Sequence, residues 1–367
     1  MQTNRSSGLK SFIGRIDFVL LLPSLLLVVI SLSTLFSISP VFFRQQLVSL
    51  LISVIAFIIF SRLDLNLFSY LSRYLYIAII FLLVAVLIIG VEVNGAKSWF
   101  SIFGIRLQIS EIAKPFFLII MATFLSSVFT ARLYRFLGAL VIVIPVFFLI
   151  AIQPDLGTGI IFAASSLMII FLSGFPKRYI FSVILAGVLS FPAFVHFLQD
   201  YQKQRLFTFL DITRDPSGAS YNAIQSLISI GSGGFFGKGF GQGTQSLLRF
   251  LPEQHTDFIF ATISEDLGFI GSLTVLSLFV LILYRIYKIA SSTENKYQYL
   301  LAMGVFALFF FQLLFNVGMN LGLMPIIGIT LPFVSYGGSS LLSSFIALGI
   351  ASNISTESKK VYSMEIV

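Results

Sequence analysis

The sequence predicts an all-α polytopic membrane protein with about ten transmembrane helices and a large extracytoplasmic loop between the seventh and the eighth. Hydrophobic residues make up 57% of the 367 positions and the mean hydropathy is +1.00, well above the composition of ordinary soluble domains. Charged residues account for only 10% of the chain. Apolar runs near the ~20 residues needed to cross a bilayer recur along the whole sequence.

Ten of these runs are candidate transmembrane helices. Pro154 and Gly157 predict a turn between the fifth and sixth runs, which are otherwise nearly continuous. No repeat or low-complexity tract divides the chain, so residues 1–367 are predicted to form a single integral membrane domain. The predicted spans lie at about 17–37, 42–60, 74–91, 110–128, 138–153, 156–174, 179–198, 258–286, 298–320 and 336–354.

An even number of spans places both termini on the same side of the membrane. If that side is the cytoplasm, most of the 23 lysines and arginines fall in short cytoplasmic loops, as the positive-inside rule requires. The long connection 199–257 then lies outside the cytoplasm. Basic residues in such loops report orientation, and no stretch is dense enough for a nucleic-acid surface. The absence of cysteine from the sequence excludes disulfides, thiolate zinc sites and cysteine nucleophiles.

The end of this long loop concentrates ionisable groups beside an apolar run. Glu253, His255 and Asp257 lie within five residues of one another. On an extended segment these three side chains would share one face, and Thr256 and Asp257 are candidate caps for the eighth span. A carboxylate among apolar walls has a raised pKa, which suits it to general-base catalysis.

Other charged positions lie near the outer end of the fourth span. Glu111 and Lys114 are i, i+3 neighbours on one helix face, and they form either a functional pair or a structural pair near the interface. Lys97 stands beside Trp99, the only tryptophan, which indicates an interfacial anchor or a contact for an anionic head group. Asp155, at the turn between the fifth and sixth spans, is predicted to cap a helix.

Glycine and proline mark two kinds of irregular segment. The glycine-rich stretch 229–243 contains Lys238 and resembles a phosphate cradle, because glycine lets backbone N–H groups approach anionic oxygens. It is not a Walker A loop, since Gly239 replaces the required Ser or Thr, and tight turns are the alternative. Segments 316–325 and 331–340 predict broken helices or re-entrant backbone at membrane depth.

Several motifs follow one another in the sequence. They are NGAK at 94–97, SE at 110–111 with Lys114, QPDLGTG at 153–159, GKG at 237–239, LPE at 251–253, HTDFIFA at 255–261 and SYGGSS at 335–340. Together they resemble the SEDS family (shape, elongation, division and sporulation) of cell-wall proteins over nearly the whole chain. Segments 201–205 and 243–246 are more similar to the elongation members than to the division members. Ser98 and Ile109 depart from the family pattern, which usually has Arg and Pro there.

The resemblance implies a peptidoglycan glycosyltransferase that polymerises lipid II, a disaccharide-pentapeptide on undecaprenyl diphosphate, by inverting glycosyl transfer during cell elongation. It implies the outer face of the bacterial cytoplasmic membrane as the place of reaction. It also implies a class B penicillin-binding protein and other membrane proteins of the elongation complex as partners. Two alternatives are a flippase for the lipid-linked precursor and a non-catalytic scaffold for a crosslinking transpeptidase.

The same resemblance implies that Asp257 is the catalytic carboxylate. We predict that it acts as the base at the acceptor hydroxyl, or as a ligand to a divalent magnesium or manganese ion. Candidate residues for binding the diphosphate and sugars, or for shaping the site around Asp257, are Lys97, Glu111, Lys114, Arg205, Lys238, Arg249, Glu253 and His255.

Overall fold

The computed structural model describes residues 16–93, 96–102, 105–127, 133–211, 218, 220–248 and 250–365. Across these ranges, helices alternate with short connections and one small sheet. The helices are α1 (Phe18–Ile38), α2 (Pro40–Phe60), α3 (Leu65–Tyr70), α4 (Ser72–Ile89), α5 (Ile109–Ser126), α6 (Leu133–Ile152), α7 (Leu156–Leu172), α8 (Lys177–Phe197), α9 (Asp200–Leu210), α10 (Tyr221–Ser232), α11 (Thr244–Leu247), α12 (Ile259–Ser291), α13 (Lys296–Asn320) and α14 (Gly338–Glu365).

The predicted polytopic helical fold is confirmed. Within the described ranges, nine helices are long and apolar enough to cross a membrane, and the shorter apolar helix α7 is the tenth. Each predicted span corresponds to one of these ten helices. The predicted turn between the fifth and sixth spans is also present, because α6 ends at Ile152 and α7 begins at Leu156. Asp155 caps α7, its Oδ1 accepting from the Thr158 N–H at 3.2 Å.

The connection between α4 and α5 contains structure that the sequence analysis did not predict. It forms a three-stranded antiparallel sheet in the order β1-β2-β3, with β1 at Val91–Val93, β2 at Ala96–Ile102 and β3 at Ile105–Gln108. Trp99 pairs with Gln108, at the end of β3. Because β3 runs directly into α5, the sheet fixes where that helix begins.

The interior of the bundle is built from α5, α13 and α14, which are mostly buried, whereas α8 is almost entirely exposed on the periphery. Between α13 and α14 the chain runs without regular structure through 321–337, as predicted for re-entrant backbone. Its Leu331, Phe333 and Val334 are buried. This later part of the irregular segment is therefore enclosed by protein, the condition under which such backbone is tolerated at membrane depth.

Helix α12 is interrupted at Gly268, whose φ is 67°. At this break the glycine-rich loop pairs with the helix backbone, so that carbonyl and N–H groups freed by the interruption are satisfied by protein. The Gly237 backbone lies so close that an added Cβ would be 2.2 Å from the Asp266 carbonyl oxygen. Four hydrogen bonds join the two segments: Phe269 N–H to Gly234 O, Ile270 N–H to Phe235 O, Lys238 N–H to Glu265 O and Gly239 N–H to Asp266 O.

This close approach predicts the effect of Gly237→Ala. The φ of +82° and the contact with Asp266 both oppose a side chain, so we expect unfolding to become easier by roughly 2 kcal/mol or more, measured as a lower Tm. Gly231→Ala is the matched control. It lies in α10 with nothing within 4 Å of the added Cβ, and its Tm should be unchanged or slightly higher. Equal Tm values for the two variants would contradict the described packing.

Candidate active site

The segment that carries Asp257 is a series of turns immediately before α12. The N–H groups of Thr256 and Phe258 donate to the Glu253 carbonyl at 3.1 and 3.3 Å, and Glu253 has a φ of 50°. The extended arrangement considered for this segment is therefore wrong. Capping is also wrong, because the N-cap of α12 is Phe258, with no side-chain cap hydrogen bond.

The Asp257 carboxylate lies half-buried beside the irregular segment 321–337. An added Cβ on Gly328 would lie 3.3 Å from Asp257 Oδ2, so the carboxylate faces bare backbone there. Burial raises the pKa of Asp257 to about 6; the negative charge of Glu253 acts in the same direction and Arg205 opposes it. A carboxylate with this pKa is mostly ionised at neutral pH and is still basic enough to accept a proton.

His255 is packed rather than presented to solvent. Its ring stacks on Phe42 with centroids 4.3 Å apart and planes 6° apart, and Tyr336 lies 5.5 Å away. Burial lowers the pKa of His255, with a smaller opposing effect of Glu253, so the imidazole is neutral at neutral pH. Glu253 accepts a hydrogen bond from Thr256 Oγ1 at 3.0 Å. These contacts fit residues that shape the turn around Asp257.

Polar side chains connect this turn to the backbone after α13. Ser335 Oγ donates to the Thr256 carbonyl and accepts from the Leu331 N–H, each at 2.7 Å. Gln46, buried on α2, donates to the Ser335 carbonyl and accepts from the Gly337 N–H, each at 3.2 Å. Three separate parts of the chain are thus fixed relative to one another next to the carboxylate.

Glu111 and Lys114 form a buried salt bridge on α5. Their side-chain atoms lie 2.5 Å apart, and the residues are 4% and 3% exposed. Asp155 stands nearby, with Oδ2 accepting from Gln108 Nε2 at 2.9 Å and from Ser110 Oγ at 3.1 Å. Burial raises the pKa of Asp155, and Glu111 adds to this effect. Because Asp155 also acts electrostatically on Asp257, the predicted pair belongs to the same polar cluster.

Arg205 brings positive charge to this cluster from α9. Its guanidinium carbon lies 5.5 Å from the centroid of the Tyr201 ring, and Tyr201 Oη donates to the Pro154 carbonyl at 3.2 Å. Arg205 forms no salt bridge with any residue that the structure describes. It lines a cavity of about 290 Å³ together with Thr208 and Met324. An anionic ligand can therefore reach the guanidinium.

Two predicted lysines are engaged elsewhere. Lys97 on β2 donates to the Ile88 carbonyl at 3.0 Å. Lys238 donates to Glu265 Oε1 at 3.0 Å, to Ser232 Oγ and to Thr244 Oγ1. The N–H groups of Lys238 and of the following glycine are taken up by α12, so the tight-turn alternative describes this loop better than the phosphate cradle. Arg249 lies outside the described residues.

One cation was missed by the sequence analysis. Arg106 is exposed on β3. Burial raises the pKa of Tyr336, and the positive charge of Arg106 opposes that shift. The sequence could have indicated Arg106 by its position, five residues before Glu111, in a part of the chain where other charged residues were already candidates.

The residues around Asp257 offer a divalent ion only a partial site. Within the described ranges, no group of three or more His, Cys, Asp or Glu side chains is arranged to hold a metal. Asp257 supplies one carboxylate. Magnesium commonly takes one or two protein carboxylates and completes its shell with substrate phosphates and water, so the donor set fits an ion only together with a phosphate-bearing substrate.

Comparison with known proteins identifies the family. The model of the family FtsW/RodA/SpoVE, described as "Cell cycle protein", matches residues 13–360. The peptidoglycan glycosyltransferase MrdB of Escherichia coli K12 is 42% identical over 290 residues, covering 78% of each chain. The chain belongs to the FtsW/RodA/SpoVE family. Another relative, stage V sporulation protein E of Bacillus subtilis, is 37% identical over 359 residues and covers 94% of this chain and 98% of its own.

Solved structures in the FtsW/RodA/SpoVE family have the same architecture. A chain from a peptidoglycan synthase complex, described as coordinating polymerization and crosslinking, superposes with a TM-score of 0.81 at 29% identity, covering 94% of this chain and 98% of its own. The rod shape determining protein RodA of Thermus thermophilus gives a TM-score of 0.71 at 28% identity, covering 93% and 96%. The ten-helix arrangement is therefore the family fold.

The buried pair on α5 leads to a prediction for Glu111→Gln. Removing the carboxylate leaves the Lys114 ammonium buried and uncompensated, so the free energy of unfolding should fall by about 3–5 kcal/mol. Replacing both residues, Glu111→Leu with Lys114→Met, should recover most of that loss in a thermal-unfolding measurement. We expect this stable double variant to have low turnover. Turnover of the double variant at the wild-type level would mean that Glu111 and Lys114 have a structural role only.

Proposed function

We propose that this protein is a peptidoglycan glycosyltransferase that polymerises lipid II into glycan strands during cell elongation. The observation that carries the proposal is the Asp257 carboxylate, whose pKa burial raises to about 6. Arg205, which has no salt-bridge partner among the described residues, acts electrostatically on this carboxylate. A relative that shares 42% identity is itself a peptidoglycan glycosyltransferase. The polar cluster combines the basic and cationic groups that this chemistry requires.

In the proposed reaction, the acceptor hydroxyl attacks the anomeric carbon from the face opposite the diphosphate. Asp257 takes the hydroxyl proton while the new carbon–oxygen bond forms. The bond between the anomeric carbon and the phosphate oxygen breaks, and its electron pair leaves with the diphosphate. This sequence inverts an α-linked donor to a β-linked product. Asp257 must return its proton to solvent before the next turnover.

Positive charge is needed where the diphosphate departs. Arg205 is our first candidate, because it interacts electrostatically with Asp257 and lines an open cavity. Lys114 is compensated by Glu111 at 2.5 Å, so its contribution to an anionic ligand is reduced until that pair rearranges. Lys97 and Arg249 stay predictions. For Lys238, the contacts with Glu265 favour a role in holding the glycine-rich loop.

A magnesium or manganese ion is part of the proposal only as an addition to the substrate. In that alternative role Asp257 would hold the ion together with diphosphate oxygens instead of acting as the base, and the ion would neutralise charge on the leaving group. Turnover measured with and without a chelator tests this point directly.

We further propose that both termini face the cytoplasm of a bacterium and that Asp257 faces outward. An even number of membrane-crossing helices supports an arrangement with both ends of the chain on one side. The connections and helix ends opposite Asp257 carry Arg62, Arg73, Arg135, Lys177, Arg178, Arg285, Lys288 and Lys296, as the positive-inside rule expects. A class B penicillin-binding protein is the proposed partner, together with other elongation-complex membrane proteins.

The proposed function predicts the behaviour of Asp257→Asn. Full-length protein in proteoliposomes, with and without its penicillin-binding partner, should convert lipid II into glycan chains, and Asp257→Asn should lower the rate by at least about 100-fold, as loss of a general base does. Its Tm should be no lower than that of the wild type, because a raised pKa means that the folded state disfavours the ionised carboxylate.

Three outcomes would contradict the proposal in different ways. Glycan synthesis by Asp257→Asn at the wild-type rate would show that Asp257 is not the general base. Movement of lipid II across the bilayer without polymerisation would favour a flippase. If Asp257→Asn retained its function in cells, a scaffold would be favoured.

The pH dependence of turnover is a separate prediction. Asp257 acts as a base only when ionised, so kcat should be constant well above pH 6 and should fall about tenfold per pH unit below it, since the pKa is raised to about 6. The measurement is the rate of glycan formation at saturating lipid II between pH 4.5 and pH 8. An acid limb at about pH 4 would indicate an ordinary, solvated carboxylate.

A further inference from the structure

The backbone carbonyl of Asp257 is held by two buried side-chain amides at the end of α13. Asn316 Nδ2 donates to this oxygen at 3.1 Å and Asn320 Nδ2 donates to it at 3.0 Å. Both asparagines are 0% exposed. They are i, i+4 neighbours, so their side chains lie on one face of the helix. A carbonyl oxygen has two lone pairs, and both are used here.

Asn316 also joins the two segments that enclose the carboxylate. Its Nδ2 donates to the Ile329 carbonyl at 2.7 Å, in addition to the bond with Asp257. Ile329 directly follows Gly328, the residue whose backbone faces Asp257 Oδ2. One amide therefore fixes both the residue that carries the carboxylate and the backbone opposite it.

Asn320 is inserted into the first turn of α12. In a regular helix the N–H of Ala261 would donate to the carbonyl four residues earlier, which is that of Asp257. Here the Ala261 N–H donates to Asn320 Oδ1 at 3.2 Å, while Asn320 Nδ2 donates to the Asp257 carbonyl. The amide satisfies an otherwise unpaired N–H at the helix start and keeps Asp257 outside the helix.

A purely structural role is the alternative, and the chain contains an example of it. Asn353 is 4% exposed and donates to the carbonyls of Phe60 and Leu63 at 3.1 and 2.6 Å, at the opposite end of the bundle. It therefore satisfies backbone groups in the same way, far from Asp257. Asn316 and Asn320 differ because they converge on the residue whose carboxylate lies in the candidate site.

We propose that Asn316 and Asn320 are positioning residues that hold the Asp257 carboxylate against Gly328 in its partly buried pocket. The backbone of Asp257 is fixed on one side and that of Gly328 on the other. The carboxylate can therefore move only by rotation of the Asp257 side chain. This inference rests on the proposed role of Asp257 as the base. Losing the amides would let the turn relax and expose the carboxylate to water.

The test compares Asn316→Ala and Asn320→Asp with the matched control Asn353→Ala, in full-length protein reconstituted with lipid II. Asn320→Asp keeps the acceptor for the Ala261 N–H and removes the donor to Asp257, so it decides the question if Asn316→Ala does not fold. We expect kcat per folded molecule to fall about 10- to 100-fold in both variants, as for a misplaced catalytic group. KM for lipid II should stay within about threefold.

A second readout does not depend on turnover. Carbodiimide reacts with protonated carboxyl groups, so the pH midpoint for labelling Asp257, followed by mass spectrometry, should be near 6 in the wild type. In Asn316→Ala the midpoint should move to lower pH, because a carboxylate that gains water approaches its ordinary pKa. Asn353→Ala should have a lower Tm but wild-type kcat and an unchanged midpoint.

The positioning role is overturned if Asn320→Asp keeps the wild-type kcat, or if Asn353→Ala loses as much kcat as the two site variants. Including Asp257→Asn in the same series distinguishes failure of the proposed base role of Asp257 from failure of the positioning role of Asn316 and Asn320. An active Asp257→Asn removes the proposed function itself. An inactive Asp257→Asn beside a normal Asn320→Asp overturns the positioning role alone.

Discussion

The constraint on which the rest of the structure depends is that backbone polar groups within an apolar bundle must find partners inside the protein. Two irregular segments meet at the Asp257 end of the bundle, and neither forms a helix or sheet. Their N–H and carbonyl groups are satisfied by Gln46, Ser335 and a pair of asparagines. The same requirement is met at the break in α12, where the glycine-rich loop supplies the missing hydrogen bonds.

This arrangement explains why a carboxylate can stay reactive in such surroundings. Neighbouring polar side chains are used to fix the backbone, and no described residue donates a hydrogen bond to the carboxylate oxygens of Asp257. Burial then raises the pKa without a compensating donor. Burial raises the pKa of Asp155 too, but its carboxylate accepts bonds from Gln108, Ser110 and the Thr158 N–H and serves to cap α7.

Hydropathy was sufficient to predict the ten helices, because crossing a bilayer imposes a length and a composition that are visible in any window of the chain. Asp257 was also accessible, since charge is rare in this sequence. The local geometry of the Asp257 segment was not predicted. Period-two spacing suggested an extended segment, but the turn is held by hydrogen bonds from residues far along the chain, among them Asn316, Asn320 and Ser335. Glycine content suggested a phosphate site at Lys238, whereas those glycines allow close backbone packing on α12.

The proposed reaction requires that the protein hold Asp257 as a partly buried base with a pKa near neutrality. Infrared difference spectroscopy of full-length protein labelled with ¹³C-aspartate measures that titration directly, with Asp257→Asn identifying the band. We expect a carboxyl signal that titrates at about pH 6 and disappears in the variant. A signal that titrates near pH 4, the ordinary value for aspartate, would contradict it.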